Sequence, residues 1–441
     1  MDEVVGPVFN ESMPGGGDAL TTDVQAQYIG YEIHYLFIII AAFLVWMIIP
    51  GVGLLYGGLT RRKSSLALIF QTLMLLGVTT FQWMFWGYSL AYSRTGGPFI
   101  GNMDHIGLRN VWLAPQGDIP DIAFCLYQLL FCTVTVQILI GGSFERGRIL
   151  PSLLFAFFWA TIVYCPVAYW TWNGNGWLYN LPDLDYAGGG PVHIASGVNN
   201  TTMVFLGTVL IWFGWFGFNG GSTLSLTVRS IVAAFNTQIA AGFGVIGWSL
   251  VVFIRTRGKF SVVGACEGAI AGLVGITPAA GYVSPWLAGV IGLLTAIVCA
   301  SLENLNKWIR IDEGLDVFKL HGVGGMVGCF LTGIFATNTV SMVDGTEAPG
   351  GIDGNGLQIG YQLASICAIT AYSFTVSRLF LLVMKYIPGL HLRVSEEVEI
   401  NGLDGDHFFE EQIGEWAEFE RLNAKNHILE VAPISTNLIL E

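Results

Sequence analysis

Charge is what this sequence has least of: Asp, Glu, Lys and Arg make up 12% of 441 residues, against roughly 25% in a soluble globular chain. So few charges cannot cover the surface that a soluble protein of this length presents to water. Basic residues are scarcer still, 19 Lys and Arg against 32 Asp and Glu, which excludes nucleic acid as a partner held through its phosphates. No two of the Cys (Cys125, Cys132, Cys165, Cys266, Cys299, Cys329, Cys367) stand in CxxC spacing, and all lie in apolar stretches. They read as packing residues rather than metal ligands or bridges. HExxH, Walker A and GxSxG motifs are absent, leaving a hydrolase or nucleotide-driven pump without a visible catalytic set. No metal and no cofactor is expected. The first 30 residues carry Asp2 and Glu3 instead of a basic region, and lie too far from the first apolar run to form a cleaved signal.

What the chain does have is apolar length. Hydrophobic residues reach 53% and mean hydropathy is +0.60. Runs able to cross roughly 30 Å of hydrocarbon as helices lie at about 35–58, 66–92, 122–142, 149–172, 201–218, 231–254, 261–282, 286–302, 315–335 and 357–386. A shorter apolar piece at about 187–198 counts as the fifth of eleven segments. The expectation is an all-α polytopic membrane protein with an extracellular segment 1–30, a transporter domain 31–390 and an acidic cytoplasmic tail 391–441. The tail holds much of the formal charge of −13, because twelve acids between 396 and 441 face only Arg421 and Lys425.

Basic loops set the orientation, since short cytoplasmic loops are enriched in Lys and Arg. Arg61-Arg62-Lys63, Arg146/Arg148, Arg255/Arg257/Lys259 and Lys307/Arg310 alternate with loops holding only Arg94, Arg109 and Arg229. This places the N-terminus outside and the tail inside, with the sequon Asn10-Glu11-Ser12 outside. A weak duplication joins about 35–198 to 201–335. Each half opens with a Gly-rich aromatic motif (Pro50-Gly51-Val52-Gly53; Phe218-Asn219-Gly220-Gly221) and ends with a His among small residues. Two halves of opposite orientation are the sequence signature of an inverted-repeat transporter or channel.

Those two are His193 and His321; the other five His fall in loops, the tail or a span end. An ionisable group at membrane depth costs several kcal/mol unless neutral, paired or facing water, so its default reading is functional. A neutral His bonded to a backbone carbonyl in helix packing is the plainer alternative. Imidazole both donates and accepts near neutral pH, so an adjacent pair can share a proton along a polar substrate's path. Bis-His haem ligation would also join two helices, but further His and basic residues for propionates are missing. Asp185 opens the short segment, either as a cation attractor or as a helix cap. Glu313 and Asp316 suit a helix N-terminus. Trp172, Phe131 and Phe218 are aromatic positions that topology brings toward the outer mouth, where rings and a hydroxyl would bind a small cation; an interfacial belt is the other reading.

Leu184-Asp185-Tyr186-Ala187-Gly188-Gly189, Leu315-Asp316-Val317-Phe318-Lys319-Leu320-His321-Gly322, Trp212-Phe213-Gly214-Trp215-Phe216-Gly217-Phe218-Asn219-Gly220-Gly221-Ser222 and Gly275-Ile276-Thr277-Pro278-Ala279-Ala280-Gly281 resemble the ammonium transporter family (Amt/Mep/Rh). Tyr164-Cys165-Pro166-Val167-Ala168-Tyr169-Trp170-Thr171-Trp172 and Gln412-Ile413-Gly414-Glu415 look like its fungal methylammonium permease branch. The resemblance implies eleven spans, a plasma-membrane homotrimer with one pore per subunit, and a tail open to a cytoplasmic regulator or kinase. It implies that Trp172, Phe131 and Ser222 recruit ammonium or methylammonium, with Asp185 nearby. Phe131 and Phe218 would form the gate, and His193 and His321 the twin His of the pore. NH₄⁺ would lose its proton near the outer mouth and NH₃ would cross, a proton moving separately in electrogenic members. An ammonium sensor that binds without conducting is the alternative.

One departure from the family is large. The helix carrying the first His should continue across the membrane, yet Gly197 is followed at once by Val198-Asn199-Asn200 and the next span. Roughly thirty residues, the rest of a span and a basic loop, are missing by comparison. Twelve helical residues reach only about 18 Å, so a turn here would leave backbone groups in hydrocarbon. The expectation is a chain defective in folding or conduction.

Overall fold

The computed structural model describes residues 28–59, 62–109, 111, 115–141, 146–194, 202–302, 304–305, 308 and 318–408. Seven helices among these are long and apolar enough to cross a membrane: Glu32–Gly58, Ser65–Tyr92, Asp121–Gly141, Ile149–Trp172, Val228–Arg255, Phe318–Phe335 and Leu357–Tyr386. Thr202–Gly220 lies between them in sequence, and Val262–Ile276 and Pro285–Ser301 are shorter apolar helices. The strands among the described residues are one antiparallel hairpin, Pro115–Gln116 with Ile119–Pro120. The all-α expectation is met, with one shortened element. The run read as 261–282 is helical only to Ile276, since the chain turns at Thr277 and Pro278.

The packing rule is that of a protein in lipid. On Val228–Arg255 the buried face includes Ala233, Ala240, Ala241, Gly244 and Gly247 beside Asn236, Thr237 and Trp248, while Ile231, Phe235, Phe243, Ile246 and Leu250 are exposed. Lipid tails solvate large apolar side chains as well as a protein core does, so small residues take the interfaces and backbones approach closely. At Gly244 a Cβ would stand 2.2 Å from the Gly268 carbonyl oxygen. This helix starts where Thr227 accepts a hydrogen bond from the Ser230 amide in a capping box.

One end of the bundle collects the chain's C-terminal part and two basic loops. The Ala67 and Leu66 amides donate to Asp404 at 2.8 and 3.0 Å, and the Leu403 amide donates to Ser64 Oγ at 3.2 Å. Arg146 pairs with Glu399 at 3.1 Å, while the Arg148 amide donates to the Leu392 carbonyl at 2.7 Å. Lys63, Arg146, Arg148 and residues 389–404 therefore share one face, as the charge pattern requires.

Several sequence readings concern residues outside those described: Asn10, Arg61, Lys307, Arg310, Glu313, Asp316, most of the tail and the 197–200 junction.

Candidate functional site

Two interrupted segments build the site. Asp185 accepts hydrogen bonds from the amides of Gly188, Gly189 and Gly190, each at 2.7 Å. It thereby satisfies the first donors of the turn that carries His193. Gly188 sits at φ +111, a conformation that disfavours any side chain. From there the backbone winds wider than an α-helix, the His193 amide bonding the Gly188 carbonyl at 3.3 Å and Ile194 bonding Gly189 at 3.2 Å. Phe318–Val323, carrying His321, has the same wide winding. Such π-turns redirect side chains and occur often at functional sites.

The two turns bring the imidazoles together, His193 Nδ1 to His321 Nδ1, at 3.1 Å. One ring must hold a proton between them while the other accepts it. Whichever does, the donating ring keeps a bare Nε2 and the accepting ring an Nε2–H. The pair thus offers one acceptor and one donor along a single line. Both residues are buried, and His193 Nε2 has no hydrogen-bond partner. Trp215 stacks on His193 at 5.0 Å, its indole N–H held by Thr277 Oγ1 at 3.0 Å.

Next to this pair, Phe131 and Phe218 stack with ring centroids 4.0 Å apart and planes within 13°. The Phe218 ring is also 5.9 Å from His193. Trp172 meets Phe131 edge-on at 6.0 Å and donates its indole N–H to the Asp185 carbonyl at 3.0 Å. Beside the stack opens a vestibule of about 140 Å³ lined by Phe131, Trp172, Ser222, Tyr186, Gln128 and the hairpin's Gln116. Ser222 Oγ donates to the Phe218 carbonyl at 2.8 Å, so its lone pairs are left for a donor. Near His321 lies a compartment of about 10 Å³ walled by Ile48, Val52, Leu55, Ile138 and Ile270.

Six of the seven sequence-chosen residues therefore adjoin one another in a column of contacts. Trp172, Phe131 and Ser222 line its vestibule, Phe131 and Phe218 its constriction, and His193 and His321 its interior. Asp185 is not in the vestibule wall; it acts through backbone amides and Trp172. Sequence reasoning left Trp215, Tyr127 and Tyr186 without roles. Trp215 stands three residues before Phe218, and Tyr127 four before Phe131, spacings that share one helical face and could have found them. Tyr127 donates to the Phe218 carbonyl at 2.8 Å, which fixes the stack's backbone. Among the described residues no cluster of three or more His, Cys, Asp or Glu could hold a metal.

The sequence profile described as the Ammonium Transporter Family matches residues 36–199 and 195–412, in two pieces that meet where the sequence departs from the family. Ammonium transporter 1 of Schizosaccharomyces pombe is 45% identical over 417 aligned residues, 88% of this chain and 83% of that protein. That alignment spans more positions than 88% of 441 residues can fill, so part of the relative has no counterpart here. Ammonium transporter MEP2 of Saccharomyces cerevisiae is 43% identical, covering 91% and 86%. The crystal structure of Candida albicans Mep2 superposes with a TM-score of 0.83 at 44% identity, covering 89% and 92%.

Proposed function

The chain belongs to the ammonium transporter family, and we propose that it takes up ammonium and methylammonium across the plasma membrane through the column just described. In this reading Trp172, Phe131 and Ser222 recruit NH₄⁺. The Phe131–Phe218 stack closes the way to anything hydrated. An N–H bond breaks with its electron pair staying on nitrogen, the proton passes to solvent outside, and NH₃ continues along His193 and His321. In an electrogenic cycle a proton follows separately.

The observation that carries this reading is the 3.1 Å Nδ1–Nδ1 contact with a buried, unpartnered Nε2 on His193. NH₃ has both a lone pair and N–H donors, which a pair offering one donor and one acceptor satisfies. Burying a whole NH₄⁺ among isoleucines is prohibitive, whereas a neutral molecule with one or two partners is tolerable. K⁺ has no proton to lose, so selectivity follows from deprotonation rather than size.

The same reading puts residues 1–30 outside, the 31–390 transporter domain in the membrane as a homotrimer, and the 391–441 tail inside within reach of a cytoplasmic regulator or kinase. The resemblance to the family and the shared face of the tail and basic loops support it. The test is growth of a host lacking its own ammonium uptake on low ammonium as sole nitrogen source. Rescue is expected. A signalling response to ammonium without rescue would instead support a sensor that binds at the vestibule and does not conduct.

A further inference from the structure

The His193 ring is bonded at Nδ1, to His321, while its Nε2 has no partner among the described residues. The torsion that turns an imidazole about its bond to Cβ is broad. A bond at one nitrogen therefore leaves the plane of the ring, and with it the direction of Nε2, to what packs on its face. The indole of Trp215 is that packing, its plane within 15° of the imidazole's and the ring centres 5.0 Å apart. Trp215 is 1% exposed, lines the compartment near His321 and stands 5.2 Å from the Phe218 ring.

The indole is held in turn by one hydroxyl. Its N–H donates to Thr277 Oγ1 at 3.0 Å, and that hydroxyl gives its own proton to the Leu273 carbonyl at 2.8 Å. An oxygen lone pair is thereby turned to the indole, in a side chain too buried for water to take its place. The same turn holds the backbone of the facing ring. Pro278 accepts the Tyr186 amide at 3.2 Å, and a Cβ added at Gly189, which opens the His193 turn, would stand 2.9 Å from Pro278 Cγ. Thr277 and Pro278, where the helix Val262–Ile276 ends, thus grip both sides of the stack.

We propose that Thr277 is a positioning residue of the His pair: by holding the Trp215 indole it fixes the plane of the His193 ring, and so aims the unpartnered Nε2 along the column. The proposal rests on the role given above to His193 and His321. It makes selectivity depend on a hydroxyl that acts through another side chain. With that acceptor gone, the indole N–H is left buried and unsatisfied, and arrangements that turn the indole away from His193 gain weight. An imidazole free to turn no longer keeps donor and acceptor in line. Passage of NH₃ needs both in line, whereas K⁺ uses neither.

The test is the ratio of ammonium current to K⁺ current in Thr277→Val, Thr277→Ser, Trp215→Phe, the double variant Thr277→Val with Trp215→Phe, and His193→Ala. A ratio does not depend on how much protein reaches the membrane. Thr277→Val keeps the side chain's shape and removes the acceptor, and an unpaired buried donor sets the scale, so the ratio should fall about tenfold. The ammonium KM should stay at the parent value, because the vestibule is untouched. Thr277→Ser keeps the hydroxyl and should restore the parent ratio. Trp215→Phe should lower the ratio by itself, and the double variant should match it, since Phe has no N–H for Thr277 to hold. A parent ratio in Thr277→Val beside a lowered one in His193→Ala would overturn the proposal and leave the His reading standing; parent ratios in both would overturn both. A deficit in Thr277→Val that Thr277→Ser does not recover, or that adds to the deficit of Trp215→Phe, would assign Thr277 to packing at the helix end and also overturn the proposal. Should Thr277→Val fail to reach the membrane, Trp215→Phe decides, a parent ratio there overturning the proposal.

Discussion

Asp404 and Ala67, 337 residues apart in sequence, are joined by a 2.8 Å hydrogen bond from the Ala67 amide to the Asp404 carboxylate. The second carboxylate oxygen takes the Leu66 amide, so the last part of the chain caps the helix that starts at Ser65. Capping of this kind contributes about 1 kcal/mol. Asp404→Ala should release residues 396–408 to proteolysis from that face and lower the melting temperature, with Asp404→Asn intermediate. Limited proteolysis and thermal melts in detergent read both, and equal resistance in parent and variant would show that the cap holds nothing.

His193→Ala and His321→Ala should each impair or abolish ammonium-driven current and relax discrimination against K⁺, with protein still at the surface. Each variant leaves the other imidazole without its shared proton in a buried site, so neither alone can replace the pair. Currents in mixed ammonium and K⁺ solutions are the measurement, and unchanged selectivity in both variants would end the proposed role.

Ser222→Ala and Trp172→Leu should raise the apparent KM more than they lower the maximal rate, because a recruitment contact acts before the barrier. A cation–π contact in a partly wet site is worth about 0.5–2 kcal/mol, so a several-fold change is expected for Trp172. A fall in maximal rate alone would assign these residues to the gate or to packing.

Asp183 lies in the loop before the His193 turn. Burial, then the neighbouring Asp185 charge, push its carboxyl up to about 8 from 3.8, against the Ser365 hydroxyl that donates to it at 2.8 Å. Folding therefore favours its protonated form. The stability this provides is complete below the unfolded value and is lost as pH rises toward about 8. Asp183→Asn should flatten the fall in melting temperature between pH 4 and 8; a parent melting profile that is itself flat over that interval would contradict the assignment.

The 195–200 junction yields a prediction from sequence alone. An inserted segment completing a full fifth span with a basic loop near Gly197 should raise surface expression and uptake together. Robust uptake by the 441-residue chain with its tail shown inside by protease protection would count against it.

Legibility differed from element to element for physical reasons. Leu357–Tyr386 was readable to the residue, because thirty consecutive helix-compatible residues end before Pro388, which cannot continue the ladder. Trp172, Asp185, His193, Phe218, Ser222 and His321 were legible because each sits in a Gly-rich or aromatic run, whereas Phe131 was placed only through the family resemblance. The wide turns at Gly189–His193 and Phe318–Val323 were not, since a π-turn has no composition of its own. Thr277 was passed over because its place depends on Trp215, brought beside it only by the fold.

The compartment near His321 measures about 10 Å³, close to the volume that one water molecule's centre needs. Within that compartment one molecule cannot push the next, as happens in multi-ion filters. In the proposed column a molecule there must depart before its successor can take the place beside His321.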